Sequence, residues 1–112
     1  MESILTSIKK MLGIAEEYEQ FDPDIIMHIN SVFTVLTQIG VGPEEGFRIE
    51  GEDATWEDFL GGDIRLESVK TYMYMRVRLI FDSATLPSTV IAAMKETIAE
   101  LEWRLNVSAE ET

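Results

Sequence analysis

The sequence predicts a mainly α-helical fold: a small bundle of about four helices, one further helical turn and a short extended or β segment near residues 47–50. Apolar residues recur at steps of three and four along four stretches of the 112-residue chain, the spacing that places side chains on one face of a helix. Glycine and proline concentrate between those stretches, where they end regular structure. A chain of this length usually forms one domain, so we expect residues 1–112 to fold as one.

The first predicted helix covers residues 3–12, where apolar side chains repeat at helical spacing. Gly13 follows as a C-terminal stop. Residues 15–20 are acidic, and we expect a loop or an added turn there. The apolar stripe of this helix consists of Ile4, Leu5, Ile8, Met11 and Leu12.

The second helix has the clearest start signal in the chain. Asp22 is predicted as the N-cap, Pro23 occupies the first helical position, and Asp24 lies near the positive end of the helix dipole. Gly40 ends the helix. Its stripe, which predicts a buried face, consists of Ile25, Ile29, Val32, Leu36 and Ile39.

The middle of the chain is predicted to be mostly irregular. Residues 40–46 contain three glycines and a proline, which exclude regular structure. Residues 47–50 alternate apolar and polar side chains, the pattern of a short strand or extended arm. Thr55 is a predicted N-cap with Asp58 three residues later, so a single helical turn is expected there.

Two further helices are predicted in the C-terminal half. The first begins at Asp63 or Ile64 and ends at Phe81, a linker spans residues 82–87, and the last helix begins at or near Ser88. We expect residues 108–112 to be a disordered tail because they are small and acidic. The stripes are Leu66, Val69, Met73, Val77 and Ile80 in the first helix, and Ile91, Met94, Ile98, Leu101 and Leu105 in the last.

The charge excludes several classes of function. The chain has 21 acidic and 9 basic residues, a formal net charge of −12. Tight binding to DNA or RNA requires a positive surface that displaces counterions from phosphate, so we do not expect it. The chain contains no cysteine, which excludes disulfides, thiolate zinc sites and thiol nucleophiles. No apolar run approaches the roughly 20 residues that span a membrane, so no membrane contact is expected.

Residues that could carry catalysis are few. His28 is the one histidine and lies one turn from Asp24, which could form a general-base pair, but a structural role for His28 is the favoured interpretation. The acidic run 50–53 lacks the D-x-D-x-D-G spacing of a calcium loop, and the glycines at 40–46 are not followed by a phosphate-binding lysine. We therefore predict no catalytic residue, no metal and no cofactor.

Several bulky apolar residues are candidates for a protein interface. Some lie in the glycine-bounded segment that includes residues 47–59, and together they exceed what we expect a small core to absorb. Trp103 is displaced from the stripe of the last helix by about 200°. For these residues core filling and partner contact remain equal alternatives. The candidate interface residues are Phe47, Ile49, Trp56, Phe59, Tyr74, Trp103 and Val107.

Four segments resemble one protein family. The patterns V-K-T-Y-M…R-V-R-L-I-F-D at 69–82 and M-K-E…E-L-E-W-R-L-N-V at 94–107 are similar to those of head–tail connector proteins of siphophages and prophages, also called adaptor or head-completion proteins. The loop 40–43 and the turn 56–60 resemble the same family. Ser83 departs from it, because proline often follows Phe-Asp there.

This resemblance implies a structural role without reaction or cofactor. It implies a homo-oligomeric ring that docks on the portal protein, contacts other neck and tail-completion proteins, and lets DNA pass without tight binding. The implied location is the virion neck, after assembly in the cytoplasm of the bacterial host. Two other functions remain as alternatives: an acidic regulator or DNA-mimic inhibitor of a host nucleic-acid enzyme, and, less favoured, a carboxylate–metal hydrolase.

Overall fold

A computed structural model describes residues 2–110 and confirms the mainly helical prediction. The described residues form six helical segments and no β-strand. They are α1 (Ile4–Met11), α2 (Asp22–Gln38), α3 (Trp56–Leu60), α4 (Leu66–Asp82), a 3-10 turn (Ser83–Thr85) and α5 (Ser88–Glu110).

The helices pack in a simple order. α4 lies between α2 and α5 and contacts both, while α1 packs against α2. At 1.5 Å per residue, the 23-residue α5 is about 34 Å long, close to the longest dimension of the molecule, 39 Å. α5 is therefore the longest helix of the subunit.

One hydrophobic cluster joins residues from all the α-helices. Its largest fully buried side chains are those of Trp56, Tyr72 and Phe33. The predicted stripe of α2 is buried up to Leu36, but Ile80 in the stripe of α4 is 49% exposed. In α5 only Ile98 and Leu105 are buried, because this helix has α4 as its main packing partner.

The segment near residues 47–50 forms no strand, which corrects the β alternative made for it. Its backbone is bound by a side chain instead of a neighbouring strand. Asn30 Nδ2 donates to Ile49 O at 2.9 Å, and Ile49 N donates to Asn30 Oδ1 at 2.7 Å. The amide of Asn30 thus satisfies both polar groups of a buried residue in the way that a strand would.

The start of α2 differs from the prediction. Phe21 is the N-cap and makes no side-chain capping bond, while Asp22 is already helical. The Asp22 carboxylate is used elsewhere, because its Oδ1 lies 2.9 Å from Nζ of Lys9. The capping box predicted at Thr55 and Asp58 is confirmed, with both reciprocal bonds present.

The start of α4 also differs from the prediction. α4 begins at Leu66 and not at residue 63 or 64, because Asp63 binds the backbone and side chain of Arg65 and holds a turn there.

The predicted disordered tail is wrong for residues 108–110, which continue α5. Residues 111–112 lie outside the described part of the chain. Tertiary contacts explain the extension of the helix. Asn106 Nδ2 donates to Ile39 O at 3.1 Å, and Ala109 packs against the core beside Gly40. The end of α5 is therefore docked on the end of α2.

Candidate protein-interaction surfaces

The aromatic residues of the middle segment are mostly internal. Ile49, Trp56 and Phe59 are 1%, 0% and 3% exposed, and Phe47 is half-buried. Phe47 and Phe59 pack on Phe33 with ring centroids 5.0 and 4.7 Å away. Of the two alternatives, core filling applies to Ile49, Trp56 and Phe59, which corrects their assignment as candidate surface contacts in the folded chain.

The other three candidates lie on α4 and α5. Trp103 is 66% exposed, so its indole is available to a partner. Tyr74 is half-buried, and its hydroxyl accepts a 2.6 Å hydrogen bond from Arg78 Nη1. Val107 is half-buried. Of the seven predicted interface residues, Trp103 is thus the one whose side chain is mostly exposed.

A polar network joins α4 to α5. Tyr72 Oη donates to Glu102 Oε2 at 2.6 Å, and Arg76 Nη1 donates to the same oxygen at 2.6 Å. Burial, followed by the hydrogen bond to Glu102, raises the pKa of Tyr72 well above its usual range. The hydroxyl therefore stays protonated and donates at physiological pH, and the network holds the register of the two helices.

Beside this network lies a groove between the two helices, which we call the α4–α5 groove. It has a volume of about 370 Å³. Its walls are mainly apolar, and charged side chains stand at its rim. The lining residues are Arg76, Leu79, Ile80, Lys95, Ile98, Ala99 and Glu102.

The outer face of α2 is a second surface. Residues 25–43 contain no Asp, Glu, Lys or Arg, although the chain as a whole is strongly acidic. The hydroxyls of Ser31 and Thr34 donate to carbonyls of the same helix, four residues earlier. Two adjoining grooves on this face share Asn30, Thr34 and Arg48. The helix therefore contributes no charge to these grooves, whose charged side chains are Arg48 and Glu45.

An aromatic cluster that the sequence analysis missed lies at the start of α2. The rings of Tyr18 and Phe21 are 5.5 Å apart, and Phe21 contacts Phe81 edge-on at 5.3 Å. Tyr18 and Phe21 are 46% and 41% exposed. Neither lies on a helical stripe, so periodicity could not identify them.

The large apolar residue with the highest exposure between residues 2 and 110 was also missed. Ile64 is 92% exposed and lies in the turn 61–65, which we call the Ile64 loop. The two carboxylate oxygens of Asp63 accept hydrogen bonds from Nε and Nη2 of Arg65 at 2.7–3.1 Å, and Oδ1 also accepts from Arg65 N. These bonds lower the pKa of Asp63 and join the two residues that flank Ile64.

The groups that could carry metal or proton chemistry are dispersed. His28 lies on α2 with a half-buried side chain. Within residues 2–110, no group of three or more His, Asp or Glu side chains could hold a metal ion. In the same range no helix is long and apolar enough to cross a membrane. The features of the described surface that could bind a partner are therefore Trp103, the α4–α5 groove, the outer face of α2 and the Ile64 loop.

Comparison with curated proteins and with solved structures found no match. The family model described as phage connector protein matches residues 4–112, which is nearly the whole chain and includes every helix described above. The resemblance noted at residues 40–43, 56–60, 69–82 and 94–107 is thereby confirmed. The chain belongs to the phage connector protein family.

Proposed function

We propose that the protein is a non-enzymatic structural subunit of a phage neck. Its copies form a ring that docks on the portal and joins the DNA-filled head to the tail. The observation that carries this proposal is the match of residues 4–112 to the phage connector family. The partners are then the portal protein, other neck and tail-completion proteins, and further copies of this chain.

The distribution of apolar surface supports assembly into a larger structure. Trp103 and Ile64 are 66% and 92% exposed, and the α4–α5 groove presents further apolar side chains. The turn that holds Ile64 precedes α4, whereas Trp103 lies one turn from the groove residue Ala99 on α5. Exposed apolar surface of this kind commonly marks protein contacts. A subunit with several contact surfaces can meet neighbouring copies and other neck proteins at the same time.

The acidic surface supports passage of DNA without capture. Five of the nine basic residues form ion pairs with carboxylates within residues 2–110. The acidic side chains that remain unpaired outnumber the unpaired basic ones, so the surface offers few free cations to DNA phosphates. We expect purified protein to leave a labelled DNA duplex unshifted on a native gel in 50 mM salt, and a shift abolished by 300 mM salt would contradict this part of the proposal.

The decisive experiment deletes the gene from the phage or prophage that encodes it and examines the induced lysate by electron microscopy. We expect DNA-filled or emptied heads alongside complete unattached tails. Supplying the wild-type gene in trans should restore intact virions, which controls for effects of the deletion on neighbouring genes.

Intact virions from the deletion strain would overturn the neck proposal. The acidic charge would then favour the alternative of a regulator or DNA-mimic inhibitor. That alternative predicts that the purified protein inhibits a host nucleic-acid enzyme as a monomer or dimer, whereas the neck proposal requires no such inhibition.

A further inference from the structure

The Ile64 loop is built to present one apolar side chain. Ile64 is 92% exposed, and the flanking residues Asp63 and Arg65 bind each other through both carboxylate oxygens, the shortest contact being 2.7 Å between Oδ2 and Nη2. A loop that is already ordered loses little conformational entropy when it binds. Exposing an isoleucine on such a loop costs free energy in the isolated subunit, which burial against a partner would recover.

The α4–α5 groove offers a complementary recess. Leu79, Ile80, Ile98 and Ala99 form its apolar walls, and Ile80 remains 49% exposed in the subunit. The bonds among Tyr72, Arg76 and Glu102 fix the spacing of the two helices, so the groove is preformed. Its volume of about 370 Å³ exceeds that of one isoleucine side chain.

The loop and the groove lie at opposite ends of α4. Ile64 directly precedes the helix, whereas the groove begins at Arg76 and includes Leu79. From Leu66 to Leu79 the helix advances by about 20 Å at 1.5 Å per residue, so Ile64 cannot enter its own groove. A contact between them must join two copies. Because the two surfaces differ, such a contact is heterologous, the kind that closes into rings.

Charge favours the same pairing. Residues 50–67 contain seven acids and one base, a formal charge of −6. At the groove rim, Arg76 is paired with Glu102, and Lys95 has no ion pair among the described residues. Glu96 and Glu100 are on α5 as well, but neither lines the groove, and Glu100 is paired with Arg104. The acidic 50–67 region, which contains the Ile64 loop, would therefore lie near Lys95, the base of the groove lining that has no ion pair within residues 2–110.

We infer that the Ile64 loop of one copy inserts into the α4–α5 groove of the next copy around the ring. Ile64 packs between Leu79 and Ala99, and acids of the 50–67 region lie near Lys95. This inference rests on the proposed function, because it assigns the contact between copies in the proposed ring.

Site-directed crosslinking tests the contact, and the chain is suited to it because it contains no cysteine. The test chain carries Ile64→Cys together with Ala99→Cys. Both sites are exposed, so the substitutions leave the core intact. Connector rings from phage heads and from purified protein are oxidised with copper phenanthroline and run on denaturing gels. We expect a ladder of covalent dimers, trimers and larger species, since each copy offers one thiol to each neighbour.

Matched controls separate the contact from chance collision. Each single-cysteine variant should give no species larger than a dimer. A chain with Ile64→Cys and Ser31→Cys carries its second thiol on the exposed outer face of α2, and it should give at least tenfold less of the larger species. A ladder of equal strength in this control would overturn the inference.

A second variant tests the contribution of the contact to assembly. Ile64→Asp should lower the fraction of protein in rings, measured by native mass spectrometry, at least tenfold while leaving the melting temperature of the subunit unchanged. Lys10→Asp, at another exposed site, should assemble normally.

The outcomes for the inference and for the proposed function are distinguishable. Rings that form normally in the double-cysteine chain but give no ladder would overturn the inference and leave the neck function standing. A gene deletion that still yields intact virions, with no rings detected for the wild-type chain, would overturn both.

Discussion

Nε1 of Trp56 donates a 2.8 Å hydrogen bond to Oγ of Ser7, a residue 49 positions earlier in the chain. Both side chains are buried. The Ser7 hydroxyl in turn donates to the carbonyl of Ile4 at 3.0 Å, and the backbone N–H of Ile4 donates to Ala54 O. Together these bonds attach α1 to the start of α3, and they place the largest side chain of the core.

Ser7→Ala should lower the free energy of unfolding by about 1–3 kcal/mol, because the buried indole N–H loses its acceptor. Urea unfolding followed by tryptophan fluorescence measures this change. Ser31→Ala is the matched control, since that hydroxyl is exposed and bonds only to its own helix, and we expect a change within about 0.5 kcal/mol. Equal effects of the two substitutions would contradict the structural role of Ser7.

Lys9→Met should destabilise the fold by about 3 kcal/mol, since removing one partner of a buried ion pair leaves the other uncompensated. Lys9 is 2% exposed, and Nζ lies 2.7–2.9 Å from the carbonyls of Glu16 and Tyr18 and from Asp22 Oδ1. Lys10→Met removes the same charge from the exposed neighbouring position and should have almost no effect in the same thermal melt. Comparable losses in the two variants would show that total charge, and not the Lys9 contacts, is what matters.

Gly42→Ala should be far more destabilising than Gly13→Ala, although both glycines have positive φ, +90° and +79°. A Cβ at Gly42 would overlap the ring of Phe59, with Cζ at 2.7 Å, whereas a Cβ at Gly13 meets no atom within 4 Å. Backbone strain alone costs about 1 kcal/mol at either position, and overpacking adds about 1–3 kcal/mol at Gly42. Denaturant midpoints of the two variants measure the difference, and similar midpoints would be inconsistent with the Phe59 contact.

The stabilisation that Tyr72 provides should disappear at alkaline pH. Its pKa is raised above the unfolded value of about 10 by burial and by the bond to Glu102. The stabilisation is therefore complete below pH 10 or so and falls as the pH rises from there toward the folded pKa. Tyr72→Phe lacks the ionisable hydroxyl, so the stability gap between wild type and variant, about 1 kcal/mol near neutral pH, should shrink above pH 10. Urea unfolding at several pH values measures this gap, and a constant gap would refute the assignment.

The carboxyl of Asp63 should titrate below the usual value of about 3.9 for aspartate, because the side chain and backbone of Arg65 stabilise its charged form. The contribution of this pair to loop order is fully present above that unfolded value and is lost as the pH falls through the lower folded pKa. Carboxyl NMR shifts measured from pH 2 to 6 report the titration. Arg65→Gln should move the pKa of Asp63 back toward its usual value, and an unchanged titration curve would rule out the pairing.

Local signals account for what could be predicted. The step of three and four in Ile25, Ile29, Val32 and Leu36 predicted α2 because a helix places such residues on one face whatever surrounds it. Glycines between the stripes predicted the breaks. Boundaries were less accurate at Asp22 and Asp63, since each carboxylate has a partner, Lys9 or Arg65, that competes with its capping role.

Residue type and spacing alone thus determined the mainly helical fold, the acidic charge and the patterns shared with the phage connector family. The tertiary structure decided which large apolar side chains are hidden. Trp56 and Ile49 are buried because Ser7 and Asn30, distant in the sequence, satisfy their polar groups. Ile64 and Trp103 are exposed because no element within the described residues 2–110 covers them. Burial depends on contacts between residues far apart in the chain, and periodicity within one helix carries no information about those contacts.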